Sequence, residues 1–161
     1  KWLTYEALRN WLPYKKEIIN TDNGDADGFY INHDYPIKVF AMMPEGLSLW
    51  YGSKEVIPNS TLSLGELPKS IESNEGIIFY SEQITTKSSA IKALLKLKEL
   101  GVDSNRILLI TAICSNKGLN EIAKLFPNQV IYTSCIDNED ENTKLLIPGI
   151  GNPLLLSLIH I

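Results

Sequence analysis

Residues Ile77 to Ala90 follow the order of a phosphate-binding segment, with a buried strand, a polar turn and then a helix. Free backbone N–H groups at the N-terminus of such a helix point outward and can hold an anion. Loops that do this at close range normally contain glycine, because glycine lets the backbone approach the ligand or adopt positive φ. The turn from Ser81 to Ser89 contains no glycine. The segment is therefore positioned for phosphate chemistry but lacks the residue type that this chemistry usually requires.

Residues for other common chemistries are scarce in this chain. The two cysteines and two histidines do not form any metal-ligand spacing, so we predict that there is no metal site. Serine hydrolase chemistry is also disfavoured, because no serine stands in a nucleophile-elbow pattern. The two cysteines are Cys114 and Cys135, and the two histidines are His33 and His160.

The composition suits one compact domain over residues 1–161, since 44% of the residues are hydrophobic. The formal net charge of -4 argues against broad nucleic-acid binding, which needs a concentrated basic surface. No apolar run reaches the length of a transmembrane helix. The few cysteines favour a reduced compartment, either cytoplasm or an organelle matrix such as the plastid stroma. Because Lys1 directly precedes a helical pattern, we expect the N-terminal part of the domain to be missing.

Hydrophobic periodicity and turn residues predict an alternating order of helices and strands. The predicted elements are a helix over 4–11, an exposed hairpin turn over 20–28, a strand over 37–43, a helix over 45–56, strands over 61–64 and 76–80, a helix over 88–100, a strand over 106–113, a helix over 117–126 and a strand over 129–135. This order predicts an α/β fold with a parallel sheet flanked by helices. Ligands of such sheets bind at the carboxyl ends of the strands.

Several short segments together resemble one known family. They are Leu3 to Arg9, Met43 to Leu47, Glu55 to Pro58, Ser81 to Ala90, Ile131 to Thr133 and Ile147 to Gly151. In the same order, the uracil phosphoribosyltransferases have LAYEATRD, LRAGL, ELIP, DPMLATGGSA, IYTA and IPGLGD. The resemblance spans nearly the whole chain, and it implies the phosphoribosyltransferase-like form of the parallel sheet.

The resemblance implies transfer of ribose 5-phosphate from phosphoribosyl pyrophosphate to uracil, with release of pyrophosphate. In the family an aspartate binds the ribose hydroxyls and a glycine pair cradles the 5-phosphate. Ser81 replaces that aspartate here, Glu82 follows it, and Lys87 and Ser88 replace the glycines. Residues of this turn that can still contact substrate are Thr85, Thr86, Lys87, Ser88 and Ser89.

Three further positions depart from the family. Pro44 replaces an arginine suited to pyrophosphate, and proline has neither charge nor N–H. The long substrate arm is replaced by the short connection Gly65 to Glu75, so we expect that no lid forms. Asn152 replaces the first of the C-terminal acids that serve the magnesium-bound substrate, and leucines follow it.

The uracil-contacting part of the family pattern is retained in kind. Its residues here are Tyr132, Thr133, Ile147, Pro148, Gly149 and Gly151. The same residues are also suited to maintaining the C-terminal turn, because proline and glycine fix backbone geometry. Both interpretations stay open at this point.

The combined losses lead to the hypothesis of a catalytically inactive relative, a pseudoenzyme. It would act as a structural or interaction subunit, either in a homodimer or in a larger complex. A location peripheral to a membrane complex is compatible with this hypothesis. It would need no cofactor. The alternatives are a module that binds uracil or uridine monophosphate, and an active transferase with an altered loop and Mg²⁺, in which Glu82 and Lys87 substitute for lost groups.

Overall fold

The computed structural model describes residues 1–32, 34–57, 59–86 and 88–151. Its helices are α1 (Trp2–Trp11), α2 (Leu47–Ser53), α3 (Ser89–Glu99) and α4 (Asn116–Leu125), with a short 3-10 helix at Ser104–Arg106. Its strands are β1 (Tyr14–Thr21), β2 (Gly24–Ile31), β3 (Ile37–Ala41), β4 (Ser60–Leu64), β5 (Gly76–Ile84), β6 (Ile107–Ser115), β7 (Ile131–Glu139) and β8 (Leu146–Ile147).

A six-stranded sheet forms the centre of the fold, in the order β4-β3-β5-β6-β7-β8. The first five strands run parallel, and β8 pairs antiparallel with β7. The middle strands β5 and β6 are almost continuously buried, as expected for strands covered on both faces. The α/β prediction is therefore confirmed.

Helices cover both faces of this sheet. Successive side chains of β5 point to opposite faces, so neighbouring residues of this strand belong to different cores. Phe79 belongs to the hydrophobic core beneath α3 and α4, which also contains Leu94 and Leu97. Its neighbour Tyr80 belongs to the opposite core, together with Leu8 of α1. Two apolar layers thus hold the sheet rigidly and fix the positions of its strand ends.

A buried cluster of three hydroxyl groups joins α1, α2 and β5. The Thr4 Oγ1 atom lies 2.8 Å from Ser53 Oγ and 3.0 Å from Tyr80 Oη. Ser53 also donates to the backbone carbonyl of Leu49. Because the three hydroxyls satisfy one another, they can be buried among apolar residues without a large desolvation penalty.

Several predicted boundaries were wrong. The predicted strands ended at Tyr80 and Cys135, but β5 continues to Ile84 and β7 continues to Glu139. Pairing with β6 extends both strands past their apolar runs. The helix predicted over 45–56 is confined to α2, because the turn Met43 to Gly46 precedes it.

The hairpin prediction over 20–28 located the turn but missed its strands. In the structure, β1 and β2 are eight-residue antiparallel strands that meet between Thr21 and Gly24. Every residue of β1 is exposed, so this strand shows no buried face that periodicity could reveal. Within the described ranges, no helix is long and apolar enough to cross a membrane.

Candidate functional site

Polar groups converge where the parallel strands β3, β5, β6 and β7 end, which is the usual ligand-binding edge of such a sheet. Four of the groups are acidic and two are hydroxyls. They are Glu45, Glu82, Asp137, Glu139, Thr86 and Ser115. This edge is the candidate site, and it includes the turn between β5 and α3 that the sequence marked for phosphate.

Glu139 is the centre of the hydrogen bonding at this edge. Its carboxylate accepts from the Thr86 backbone N–H at 3.0 Å and from the Ser115 hydroxyl at 2.7 Å. The Thr86 hydroxyl donates to its second oxygen. Only 5% of Glu139 is exposed. Burial favours the neutral acid, but the hydrogen bonds from Thr86 and Ser115 outweigh burial and lower the pKa of this carboxyl.

Ser115 connects this carboxylate to the start of α4. Its hydroxyl donates to Glu139 and accepts from the Gly118 N–H at 2.7 Å, so it caps the helix. A Cβ atom on Gly118 would lie 2.8 Å from the Ser115 Oγ and 3.1 Å from the Ile84 carbonyl oxygen. Only glycine therefore lets α4 begin this close to the turn between β5 and α3. That turn is held between β7 and α4.

The N-terminus of α3 is also occupied by groups of the chain itself. Ser88 is the N-cap, and its side chain accepts from the Ala90 N–H at 3.1 Å. Its own N–H donates to the Thr85 carbonyl at 3.0 Å. Ser89 is exposed at the first position of the helix, and Lys87 lies outside the described residues. The backbone donors of Thr86, Ser88 and Ala90 thus have internal partners.

The first two residues of the predicted loop lie in β5. Ser81 is 1% exposed, and its hydroxyl donates to the Gln83 carbonyl at 3.0 Å. It therefore contributes to the strand end and has no free group for a ribose. Glu82 is partly buried, and burial together with the nearby Glu45 carboxylate raises its pKa.

The turn that holds Pro44 lies directly against the end of β5. A Cβ atom on Gly46 would lie 2.5 Å from the Tyr80 carbonyl oxygen, so this turn packs on the strand. The turn also carries Glu45, whose negative charge adds to burial in raising the pKa of Glu82. Pro44 itself is exposed and offers no donor.

The retained tyrosine and threonine of β7 make structural contacts. The Tyr132 hydroxyl accepts from the Asn10 side-chain amide at 3.1 Å, which joins β7 to α1. The Thr133 hydroxyl donates to the Cys135 carbonyl at 2.9 Å.

Cys135 is exposed, while Cys114 is buried on the neighbouring strand, and both thiols are free.

The C-terminal turn is bonded back to the sheet. Gly149 has φ +59°, and its N–H donates to Asp137 Oδ2 at 2.9 Å. Gly151 has φ +79°, and its carbonyl accepts from the Gln83 side chain at 3.3 Å. Ile147 and Pro148 are exposed beside these glycines, and Asn152 lies outside the described residues. The turn thus lies at the same edge as Glu82 and Glu139.

Comparison with known proteins places this geometry in a family. The family model for uracil phosphoribosyltransferase matches residues 60–153, which contain five of the six polar groups of the site, all except Glu45. The chain belongs to the uracil phosphoribosyltransferase family. Its resemblance in sequence motifs is thereby confirmed.

Relatives of this family member extend the match to most of the chain. A uracil phosphoribosyltransferase of Fervidobacterium nodosum is 30% identical over 93% of this chain and 78% of its own length. One from a Nostoc species is 24% identical over 94% of this chain and 78% of its own. An Arabidopsis thaliana relative, 27% identical over 93% of this chain and 56% of its own, is named as chloroplastic.

A solved structure supports the fold. The AQ2163 protein from Aquifex aeolicus superposes with a TM-score of 0.71 at 22% identity. The match covers 94% of this chain and 77% of the Aquifex chain. The parallel sheet with helices on both faces is therefore shared by the two proteins.

Sequence reasoning missed three groups of this uracil phosphoribosyltransferase relative: Ser115, Asp137 and Glu139. The predicted strands ended before them, so they were not placed at the ligand edge. Because Ile136 is followed only by polar residues up to Glu139, no apolar–polar alternation in the sequence marks the continuation of β7. Among the described residues, no three His, Cys, Asp or Glu side chains form a metal-ligand cluster.

Proposed function

We propose that the chain is a catalytically inactive member of its family that acts as an interaction subunit. The observation that carries this proposal is the carboxylate of Glu139 in the phosphate turn. It holds the Thr86 N–H and hydroxyl, which are donors that a substrate phosphate would need. The Glu139 carboxylate is part of the chain and already occupies these donors. A substrate phosphate would have to displace this carboxylate and would also be repelled by its negative charge.

The charges at the strand ends strengthen the proposal. Glu45, Glu82 and Glu139 all lie at this edge, and phosphoribosyl pyrophosphate is itself a strongly negative ligand. Two like charges about 4 Å apart repel by about 4 kcal/mol at an effective dielectric constant of about 20. A penalty of that size corresponds to roughly a thousandfold loss of affinity.

The exchange of arginine for Pro44 acts in the same direction. An arginine at this turn can make two charge-assisted hydrogen bonds to a pyrophosphate, each worth about 1.5–3 kcal/mol. Proline supplies none of them. The proposal therefore rests on the acidic side chains that lie at both phosphate-facing turns and on the attraction that an arginine in place of Pro44 would have supplied.

The interaction role is supported by aromatic residues on α1 and on the β1–β2 ribbon. Trp2 is 75% exposed, Tyr14 is 69% exposed and Phe29 is 64% exposed. A cleft of about 530 Å³ lies between the helix and the ribbon. An isolated two-stranded ribbon is only marginally stable in water, so a protein partner that covers these side chains would stabilise it.

Titration of phosphoribosyl pyrophosphate with Mg²⁺ in a calorimeter tests the inactive state. We expect no saturable heat with this chain up to about 1 mM ligand, whereas the Fervidobacterium nodosum relative serves as the positive control. Micromolar binding by this chain would overturn the proposal. A Glu139→Gln variant distinguishes the cause, since regained binding would assign the block to the negative charge.

The assembly is tested by measuring the native mass of the protein in extracts of its source. We expect a mass above that of the monomer, and we expect the double variant Tyr14→Ser/Phe29→Ser to lose the partner. Tyr51→Ser is the matched control, because Tyr51 is 66% exposed but lies on α2. A monomeric native mass would contradict the interaction role.

Retention of uracil or uridine monophosphate binding is a second candidate function. The C-terminal turn keeps its two left-handed glycines, Gly149 and Gly151, beside the exposed Ile147. Saturable heat with uracil but none with phosphoribosyl pyrophosphate would favour this binding module. For location, we propose the cytoplasm or an organelle matrix, and the chloroplastic name of the Arabidopsis relative supports the plastid stroma.

A further inference from the structure

A second cleft lies on the α3 face of the sheet, beside the connection between β4 and β5. Its volume is about 490 Å³, which is within the range that holds small organic ligands. Its apolar wall consists of Phe40, Met42, Leu67 and Ala93. Phe40 and Ala93 belong to the main core, so this wall is part of the rigid layer between α3 and the sheet.

The rim of this cleft is predominantly basic. Lys69 projects from the connection, and Lys92 and Lys96 project from α3. Lys92 and Lys96 are four residues apart, so they occupy the same helical face. Glu66 is the single acidic residue among the described residues of the lining.

None of the three rim lysines takes part in a salt bridge with any other residue that the structure describes. Other lysines nearby have partners: Lys38 pairs with Glu75, and Lys98 lies over the Phe126 ring. The positive charge of the rim therefore remains available to a ligand.

We propose that this cleft binds a small organic anion with an apolar body. The head group, a carboxylate or similar anion, would lie among the ammonium groups, and the apolar body would cover the partly exposed side chains of Met42 and Leu67. The three cations complement an anion, and the apolar wall excludes a simple inorganic ion as the best occupant. The cleft shares no lining residue with the polar groups at the strand ends.

Amide chemical shifts measured by NMR during titration with sodium octanoate test this proposal. We expect saturable shifts at Ala93, Leu67 and Gly65, with a dissociation constant below about 1 mM. Acetate supplies the charge without the body, and octanol supplies the body without the charge. Each should bind at least about tenfold more weakly than octanoate, because each lacks one of the two contacts.

A charge-neutral double variant, Lys92→Gln/Lys96→Gln, should weaken octanoate binding by roughly tenfold, because each exposed ammonium contributes modestly. Lys98→Gln is the matched control on the same helix, and it should leave binding within about twofold of the original. The proposal is overturned by an absence of saturable shifts up to about 10 mM octanoate, by equal affinity for octanol, or by an unchanged affinity in the double variant.

Discussion

Replacing Glu139 with alanine should destabilise the fold by about 3 kcal/mol. The substitution removes a buried carboxylate that accepts hydrogen bonds from the Thr86 N–H, the Thr86 hydroxyl and the Ser115 hydroxyl. The two hydroxyls can rotate toward other acceptors. The backbone N–H of Thr86 cannot rotate, so it remains near the buried end of β7 without its partner.

The magnitude follows from these contacts. A hydrogen bond to a charged group contributes about 1.5–3 kcal/mol, and an unsatisfied buried donor costs about 1–3 kcal/mol. Relief from burying the charge offsets part of this sum, which leaves about 3 kcal/mol. For a chain of this size, about 2–4 °C of melting temperature corresponds to each kcal/mol, so we expect a decrease of about 6–12 °C.

Urea denaturation at neutral pH, followed by tryptophan fluorescence, measures this change directly. Glu141→Ala is the matched control, because Glu141 lies two positions away and its polar contact among the described residues is an exposed salt bridge to Lys117. It should change the midpoint far less than Glu139→Ala. Equal midpoints for the two variants would refute the assignment of Glu139 as the anchor of the turn.

The same substitution has an expected pH dependence. The folded-state pKa of Glu139 is lowered from the ordinary value of 4.5, so its ionised form stabilises the folded state at pH values above that. This contribution is lost as the pH falls through the folded-state pKa. The difference in unfolding free energy between the original protein and Glu139→Ala should therefore shrink below about pH 4.5. A difference that grows on acidification would contradict the lowered pKa.

Three other substitutions or labels give independent checks. Gly149→Ala should destabilise by about 2 kcal/mol or more, since its Cβ would overlap the backbone carbonyl oxygen of Leu146. Gly151→Ala should cost less, because its Cβ would meet no described residue within 4 Å apart from its chain neighbours. Equal losses in thermal melts would contradict this. Tyr80→Phe should lower the urea unfolding free energy by about 1–2 kcal/mol, because its hydroxyl is buried among other hydroxyls; no change would refute that role. A thiol reagent should label the native protein once, at Cys135, because burial raises the pKa of Cys114 to about 12; labelling at both would contradict the burial.

The sequence predicted the central sheet because its signal is strong. The runs that became β5 and β6 are apolar on both faces, and helices with a single apolar face separate the strands. Parallel order and the ligand edge follow from that alternation. Secondary structure was therefore predictable wherever burial requires either a continuous apolar run or a periodic apolar pattern.

The exposed ribbon and the anchor of the turn were not predictable in the same way. β1 buries no residue, so its strand carries no pattern of burial. Glu139 and Thr86 are 53 residues apart, and their contact depends on the register of β7 against β6. Local periodicity gives neither that register nor the length of the strand.

Formation of uridine monophosphate from uracil, phosphoribosyl pyrophosphate and Mg²⁺ is the most direct measurement of the central claim. The Fervidobacterium nodosum relative, assayed at equal concentration, sets the scale. We expect this chain to be at least about ten-thousandfold slower, since a single transition-state contact to charge contributes about 2.7–4 kcal/mol and at least two are affected. Turnover within about tenfold of the relative would contradict the account.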